Sequence, residues 1–439
     1  MDTAGIKKEM FGTDQNIILD TTNQTISFSD LIPDNVYTID SKEFLLNLKI
    51  HQINDLPLLP PKNHLKAFQG LLPYGKYKHL PWALCLPEGA FKQFLEAYLD
   101  DLLDVIKKIP DPKNYLSKTY MPTDGIFHEL QKAKINKLNW DQLVLLNPTS
   151  TILQSFKQQN PDGFAHNVYY DRTDSITGSL KVSEGPKILS VNKTARKQLL
   201  AVSRFGNDGM IVSVDYKSLE PRILKSIATT NSINPKDLYE DLKTNIFEAT
   251  KISLTRTDCK NLTLTEMYGG GIEKIKTILS SHELSDLSIK KLIEITKEYY
   301  GSGSLLAELV DKLKLTGTES YIENLYGRRI PINQTDNNAY KLVNYYVHST
   351  AIDVALYGFN AIINYIKNDL QMTEEIVPIF LLHDALFFDM KREAFQYISP
   401  ICKIGSIDIP GFNEKTRFFL EPDIIFKPET INHDNNKTN

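Results

Sequence analysis

Two apolar runs separated by only two polar residues constrain the fold of this chain more than any other feature. The runs Phe380–Leu382 and Ala385–Phe388 flank His383 and Asp384, a pattern that predicts a β-hairpin with the polar pair at its tip. Strands this apolar are expected to lie in a core, which would hold Asp384 rigidly. The alternative is an ordinary turn, because turns favour Asp for backbone reasons.

A second apolar run, Met210–Val214, ends at the acid Asp215 and is followed by a helix-like stretch. Pro221 is tolerated only in the first turn of that helix, which places Asp215 at the carboxyl end of a strand. Functional side chains are common at such a position. The alternative is that the dipole of the following helix simply favours an acid near its start.

Steps of four residues place a third group of side chains along one face of a predicted helix. These residues are Arg256, Lys260, Leu264 and Tyr268, with Gly269 after them. Two cations one turn apart repel each other. A polyanion bound across them would relieve this repulsion, so the pattern is typical of a polyanion-binding face. The alternative is a basic face that is simply solvated.

Composition excludes several classes of protein. With 41 % apolar and 24 % charged residues in 439, the chain has a globular balance and enough residues for about three domains. Its cysteines, Cys85, Cys259 and Cys402, form no C-x-x-C pair, which argues against a zinc site or a disulfide framework. No apolar run reaches the ~18 residues of a membrane span, and the first residues lack the apolar core of a secretory signal. We therefore expect a cytoplasmic protein with no membrane partner.

Taken together, the three segments resemble the motifs of the A-family DNA polymerases of the bacterial polymerase I type. Residues 215–222 resemble motif A, D-Y-S-x-x-E-x-R. Arg256, Lys260, Tyr268 and Gly269 match motif B, R-x3-K-x7-Y-G, and residues 383–385 resemble motif C, H-D-E. Residues 175–180 look like the segment T-x-T-G-R-L, and residues 326–331 look like the turn G-R-R-x-x-P. The resemblance covers residues 165–425, the polymerase domain only.

The resemblance implies an α/β (α+β) fold shaped like a right hand, with an antiparallel palm sheet, helical fingers and a helical thumb. The implied divisions are residues 1–87 of unknown role, 88–205 as the thumb and approach to the palm, 206–233 as palm with motif A, 234–332 as fingers with motif B, 333–426 as palm with motif C, and 427–439 as a disordered tail. Apolar spacing predicts helices over 88–110 and 122–146, and alternation predicts short strands at 17–19 and 36–39.

The resemblance also implies an activity and a set of site residues. The activity is template-directed addition of deoxynucleotides to a primer 3′-hydroxyl by phosphoryl transfer, with Asp215 and Asp384 as the catalytic carboxylates. Two Mg²⁺ ions, with Mn²⁺ as a substitute, would be held by Asp215, Asp384 and the main-chain carbonyl of Tyr216. The implied nucleotide-binding residues are Arg256, Lys260, Leu264, Tyr268 and Glu220, whose side chain blocks a ribose 2′-hydroxyl. The implied DNA-binding residues are His383, Lys341, Asn344, His348, Thr177, Gly178, Lys181 and Arg328.

The implied partners are primer–template DNA and deoxynucleoside triphosphates. A net charge of −4 discourages a generic nucleic-acid-coating protein, but the basic stretch 181–204 is a local patch that can bind phosphates; the alternative is a solvated loop. We expect a monomer, with residues 1–87 as a candidate docking surface for a replication or processivity partner. Proofreading in the family that the chain resembles needs a separate domain with a D-x-E strand motif; residues 1–150 contain no D-x-E, so the resemblance implies no 3′→5′ exonuclease activity. The absence of a proofreading domain fits a replicase of a phage or mobile element that acts in the cytoplasm of its host.

Four departures from the family pattern leave alternatives open. Ala385 replaces the Glu of motif C, Ser179 replaces an Arg, His348 replaces a Gln, and Leu264 replaces an aromatic residue. None removes a metal ligand or a phosphate-binding cation, and the changes at 179 and 348 predict weaker checking of the newest base pair. The alternatives are an RNA-copying or primase-like nucleotidyltransferase and a non-catalytic nucleic-acid-binding descendant, the latter favoured by Ala385 and Ser179.

Overall fold

The computed structural model describes residues 3–8, 15–20, 23, 25–33, 36–39, 41–53, 115–159, 161–228, 235–316, 319–332, 340–412 and 416–428. The helix predicted over 88–110 lies outside these residues, as does the predicted tail from residue 429 onward.

The strands of the described residues form four sheets. In chain order they are β1 (Thr3–Ile6), β2 (Asn16–Asp20), β3 (Thr25–Ser29), β4 (Tyr37–Ile39), β5 (Tyr169–Asp171), β6 (Lys181–Glu184), β7 (Gly209–Tyr216), β8 (Lys314–Thr316), β9 (Glu319–Glu323), β10 (Arg329–Ile332), β11 (Ile376–Leu382), β12 (Ala385–Lys391) and β13 (Leu420–Phe426). An amino-terminal sheet has the order β3-β2-β1-β4 with β4 parallel to β1, and its strands β2 and β4 confirm the short strands predicted there.

The helices of the described residues surround these sheets. In chain order they are α1 (Ser41–Ile50), α2 (Met121–Asp124), α3 (Ile126–Glu129), α4 (Lys137–Leu146), α5 (Thr151–Gln154), α6 (Lys193–Leu199), α7 (Leu219–Ala228), α8 (Leu238–Thr250), α9 (Arg256–Met267), α10 (Ile272–Ile278), α11 (Asp286–Tyr300), α12 (Ser302–Lys312), α13 (Tyr340–Asn364) and α14 (Ile398–Ile404). Single π-helical turns occur at Leu116–Tyr120 and Tyr365–Leu370, and short 3₁₀ segments at Ile188–Ser190, Gly206–Asp208, Ser280–His282 and Arg392–Tyr397.

The central sheet is antiparallel and has the strand order β11-β12-β7-β13. In β7 every residue except Asp215 is buried, and in β12 every residue except Lys391 is buried. The predicted hairpin is confirmed, because β11 and β12 pair around the two-residue turn at His383 and Asp384. The predicted α+β fold with an antiparallel sheet is likewise confirmed.

The long helix α13 connects the sheet to the helices. It packs against α7 and α12, and Val347, Val354 and Phe359 are among its buried residues. Among the described residues, no helix, α13 included, combines the length and apolarity that a bilayer crossing needs. The helices α8 to α12 fill the region assigned to the fingers, while the domain boundaries themselves remain predictions.

The single helix predicted over 122–146 is wrong, since the chain forms α2, α3 and α4 with an extended segment between α3 and α4. The extended segment makes long-range backbone hydrogen bonds that a helix would forbid. Gln131 donates to the carbonyl of Pro378 over 2.8 Å, and Ile135 donates to that of Gly163 over 2.9 Å. Apolar spacing alone does not reveal these partners.

Candidate active site

The two predicted metal-binding carboxylates meet at one end of the central sheet. Asp215 lies opposite Ala385 of β12, so Asp384, in the turn before β12, lies beside it. The amide of Tyr216 donates to the carbonyl of Asp384 over 3.1 Å, and the Asp384 carboxylate is near enough to raise the pKa of Asp215. Two acids that are distant along the chain therefore come into contact.

The turn between β11 and β12 directs Asp384 toward its partner. His383 has a φ of 53°. This left-handed conformation is uncommon outside glycine, but His adopts it more readily than most residues. The pair Leu382 and Ala385 closes the turn. As a result His383 is exposed and Asp384 is partly buried.

Burial disfavours the charged form of both carboxyl groups, and Asp384 further disfavours the charge of Asp215. Desolvation raises the pKa of Asp215, and the Asp384 carboxylate raises it further, while Lys260 acts in the opposite direction. Desolvation is also the main cause of the raised pKa of Asp384. The side chain of Asp215 is open to solvent on the cavity side, but protein surrounds it elsewhere. Two acids in contact need a shared proton or a cation between them.

The donor set fits a magnesium-type cation. Among the described residues, no group of three or more His, Cys, Asp or Glu side chains is arranged to hold a metal. Asp215 and Asp384 lie side by side at this cavity, with Tyr216 on the same cavity wall. Mg²⁺ usually keeps several waters and binds one or two carboxylates together with substrate phosphates. A phosphorylated substrate would complete such a coordination shell.

Helix α9 brings the predicted basic stripe to the same cavity. A capping box starts the helix: Thr255 Oγ1 accepts from the Asp258 amide over 3.1 Å, and Asp258 Oδ2 accepts from the Thr255 amide over 2.9 Å. Arg256, Lys260 and Leu264 then line a cavity of about 690 Å³ that both carboxylates also line. The helical stripe predicted from the spacing is confirmed, and it faces the acids.

Four charged residues that the sequence analysis did not single out also line this cavity: Lys217, Asp237, Glu421 and Asp423. Arg256 Nε donates to Asp237 Oδ2 over 2.9 Å. Lys217 Nζ lies 3.4 Å from the same oxygen and 3.0 Å from Glu421 Oε1. Two cations thus converge on one carboxylate, in the way that they would converge on a phosphate.

The ionised form of the Asp237 carboxyl group is strongly favoured over the protonated form. Partial burial tends to raise its pKa, but the hydrogen bond from Arg256 and the amide of Glu240 lower it to about 2. Asp237 also caps α8, since its side chain accepts from the amides of Tyr239 and Glu240. An acid before a predicted helix is a recognisable cap pattern, and Lys217 stands where motif A has Ser, so both residues had a signal in the sequence.

A second cavity of about 350 Å³ adjoins the first, and Glu220 lines both. Tyr268 Oη donates to Glu220 Oε2 over 2.8 Å, and His348 Nδ1 donates to Oε1 over 2.7 Å. The other ring nitrogen of His348 lies 2.6 Å from Ser179 Oγ. Burial tends to raise the pKa of Glu220, but the hydrogen bonds of His348 and Tyr268 lower it. The predicted nucleotide- and DNA-binding residues Glu220, Tyr268 and His348, from three segments, therefore meet at one carboxylate.

The remaining predicted DNA-binding residues differ in exposure. His383 is exposed and lines the second cavity. Lys341 and Asn344 are partly exposed on α13, and the exposed Lys181 has its Nζ 2.7 Å from Asp174 Oδ2. These four positions remain compatible with a DNA contact.

Arg328 does not fit the predicted direct contact with DNA, because it is fully buried. Its guanidinium donates to the carbonyls of Arg172 and Ser175 over 3.3 and 2.9 Å. Gly178, with a φ of 82°, packs so closely that an added Cβ would lie 3.0 Å from the guanidinium. Thr177 is also buried. Arg328 therefore holds the loop that precedes β6, and Thr177 and Gly178 belong to the held loop.

Comparison with known proteins supports the fold. No protein-family model matches the chain, and no curated protein matches it either. Among solved structures, the chain is similar to the POL domain of Pol1 from M. smegmatis, solved in complex with DNA primer-template and dNTP. The two share 13 % sequence identity with a TM-score of 0.54, over 96 % of this chain and 94 % of that one. At this identity the similarity establishes the fold.

Proposed function

We propose that this chain is a template-directed DNA polymerase that adds deoxynucleotides to a primer 3′-hydroxyl. The observation that carries the proposal is a single cavity in which the neighbouring carboxylates of Asp215 and Asp384 face a helix bearing Arg256 and Lys260. The similar structure from M. smegmatis holds primer-template and dNTP, which supports the same substrates here.

The cations of the cavity suit a triphosphate. Arg256 and Lys260 would neutralise the phosphates, where negative charge builds up as pyrophosphate leaves. Lys217 would join them once a phosphate displaces Asp237 from its two cations. Two Mg²⁺ ions, or Mn²⁺ ions in their place, held by Asp215, Asp384 and the Tyr216 carbonyl would activate the primer hydroxyl and stabilise the leaving pyrophosphate.

The second cavity suits the sugar and base of the nucleotide and the end of the primer. Glu220, fixed at the boundary between the two cavities, would exclude a ribose 2′-hydroxyl, and Tyr268 would lie beside the incoming sugar. His383 would contact the primer end. The backbone of the duplex would lie along exposed cations such as Lys187, Lys193 and Lys197, because phosphate contacts supply most of the affinity for DNA.

Primer extension with four dNTPs and Mg²⁺ tests the proposal. Wild type is expected to extend a primed DNA template, and Asp215→Asn and Asp384→Asn to lose on the order of 10³-fold in rate, because each removes a charge that holds the cations. Asp141→Asn, at an exposed ion pair on α4, is the matched control and should retain activity. A wild type that binds DNA but extends no primer on any template would support the non-catalytic alternative. Preference for NTPs or an RNA template would support the RNA-copying or primase-like one.

We also propose that the protein does not proofread. The region before residue 150 lacks the paired carboxylates, D-x-E, that this activity needs. A 3′-labelled mismatched primer incubated with the protein and Mg²⁺ should keep its label. Loss of the label that a chelator abolishes, and that persists in the Asp384→Asn variant, would contradict the proposal.

A further inference from the structure

We infer that His348 is a positioning residue for sugar selection, which fixes the carboxylate of Glu220 and is itself fixed by Ser179. This inference rests on the proposed polymerase function. It assigns to His348 and Ser179 a role different from the inspection of the newest base pair that the sequence resemblance implies. The observation behind it is a chain of hydrogen bonds that runs from the loop before β6, through α13, to the boundary between the two cavities.

The chain of hydrogen bonds is continuous. Thr177 Oγ1 and Ser179 Oγ lie 3.0 Å apart, Ser179 Oγ and His348 Nε2 lie 2.6 Å apart, and His348 Nδ1 and Glu220 Oε1 lie 2.7 Å apart. The side chains of His348 and Glu220 are 34 % and 21 % exposed, so water competes only in part for the hydrogen bond between them. Tyr268 occupies the second oxygen of Glu220.

The direction of these hydrogen bonds follows from the chemistry of the groups. An ionised carboxylate only accepts, so His348 Nδ1 must carry a hydrogen. In the neutral imidazole the other nitrogen then accepts, which makes the Ser179 hydroxyl its donor. Thr177 can in turn donate to Ser179. Each donor has one acceptor, and the imidazole has a single favoured tautomer and ring orientation.

His348 and Tyr268 hold Glu220 from different parts of the fold. Glu220 is on α7 and His348 is on α13, and these two helices pack directly against each other. Tyr268 follows α9, and its side chain is half exposed. The contact with His348 is therefore the one made between two helices that pack directly against each other. A Glu220 held by Tyr268 alone could rotate and accept a hydrogen bond from a ribose 2′-hydroxyl.

The residues at 179 and 348 complement each other. The family resemblance implies Arg at 179 and Gln at 348. An Arg carries donors only and a much longer side chain than the Ser179 that contacts Nε2. A Gln places its amide at about the position of Nε2, too far along the side chain to reproduce the donor at Nδ1. The Ser–His pair therefore directs a donor to Glu220 that the family residues would not supply.

Single-nucleotide incorporation tests this assignment, with kcat and KM measured separately for a dNTP and the matching NTP. In His348→Asn the amide nitrogen takes the place of Nδ1 and keeps the donor to Glu220; in His348→Gln the donor is lost. We expect His348→Gln to lower the dNTP/NTP discrimination about tenfold, the effect of ~1.4 kcal/mol. The change should come from a kcat/KM for the NTP that rises relative to that for the dNTP, whereas His348→Asn keeps most of the discrimination. Ser179→Ala should produce a smaller loss.

His128→Ala and Ser183→Ala are the matched controls, because both residues are exposed and neither lines the two cavities. Unchanged discrimination in His348→Gln, or equal discrimination in His348→Asn and His348→Gln, contradicts the assignment while leaving the polymerase function standing. A parallel loss of dNTP and NTP use points to a structural role and also contradicts it. If the wild type incorporates neither dNTP nor NTP, the result contradicts both the proposed polymerase function and the assignment of His348.

Discussion

At the scale of single residues, Asp237 occupies the position where the proposed function requires a phosphate. It accepts from Arg256 and lies 3.4 Å from Lys217 Nζ, so an incoming triphosphate would compete with it for both cations. The pKa of Asp237, about 2, is below the ordinary value of 3.8. The contribution of the ion pair to stability is therefore complete above pH ~4 and is lost as the pH falls toward ~2. At neutral pH the competition is always present.

Replacing Asp237 by Asn should strengthen nucleotide binding. Asn keeps the cap of α8 because its side-chain oxygen still accepts, while the competing charge is gone. We expect the KM for a dNTP to fall about threefold, the effect of ~0.7 kcal/mol for unit charges ~6 Å apart in water.

Steady-state kinetics at low and high salt check this expectation. The effect should shrink at high salt because ions screen it, and it should be the same at pH 6 and pH 8. Glu240→Gln, one turn further along α8 and outside the cavity, is the matched control and should leave KM unchanged. A higher KM in Asp237→Asn would show that Asp237 positions Arg256 for the phosphate.

The residues that meet in the cavity and are proposed to carry the chemistry were predictable from the sequence, and those that surround them were predictable only in part. Asp215 and Asp384 were found because apolar strands end at them, and Arg256 and Lys260 because their spacing matches a helical turn. Glu421 was not found. It lies opposite Asp215 only through the register of β13 on β7, and strand register between distant segments is not written in a local pattern.

At the scale of elements, local sequence patterns correctly predicted those elements whose own residues supply the hydrogen-bond partners of their backbone. Helix α9 has its own capping box, and the β11–β12 hairpin closes through a two-residue turn, so both were predicted correctly. The segment between α3 and α4 bonds instead to Pro378 and Gly163. Its helical apolar spacing was therefore misleading, because tertiary partners decided its conformation.

The capping box of α9 predicts a link between helix stability and nucleotide binding. Thr255→Ala removes the side-chain acceptor of the cap and should cost about 1 kcal/mol in the free energy of unfolding. Because Arg256 is the first residue of the helix, the KM for a dNTP should rise as well. Thr255→Ser keeps the hydroxyl and should restore both properties.

Ser285→Ala separates the two effects. Ser285 caps α11 in the same way, accepting from the Ser288 amide over 3.2 Å, and lies outside the cavity. Urea unfolding should show a similar cost for both alanine variants, while kinetics should show a raised KM for Thr255→Ala alone. An unchanged KM in Thr255→Ala would mean that Asp237 holds Arg256 without help from the cap.

At the scale of the whole molecule, one buried ion pair joins segments from distant parts of the chain. Arg172 Nη2 lies 2.7 Å from Asp353 Oδ1, with both side chains 1 % exposed. Tyr115 Oη and Asn324 Nδ2 also donate to Asp353, over 2.9 and 2.8 Å. This packing explains why Arg328, whose motif predicted a DNA contact, is buried: its carbonyl accepts from the Asn324 amide and its guanidinium donates to the Arg172 carbonyl. Burial of this kind depends on the complete fold.

Replacing Asp353 by Asn should therefore destabilise the protein strongly. The substitution leaves the guanidinium of Arg172 buried without a countercharge, which typically costs about 3–5 kcal/mol. The exposed pair of Lys367 and Glu129 also joins segments that are distant along the chain, at 2.8 Å, with side chains 52 % and 41 % exposed. Glu129→Gln should consequently cost less than about 1 kcal/mol. Urea unfolding of the two variants beside wild type measures the difference. Equal losses would mean that water reaches the Arg172–Asp353 pair, and the pair could then not be what holds the loop at 172–179 against α13.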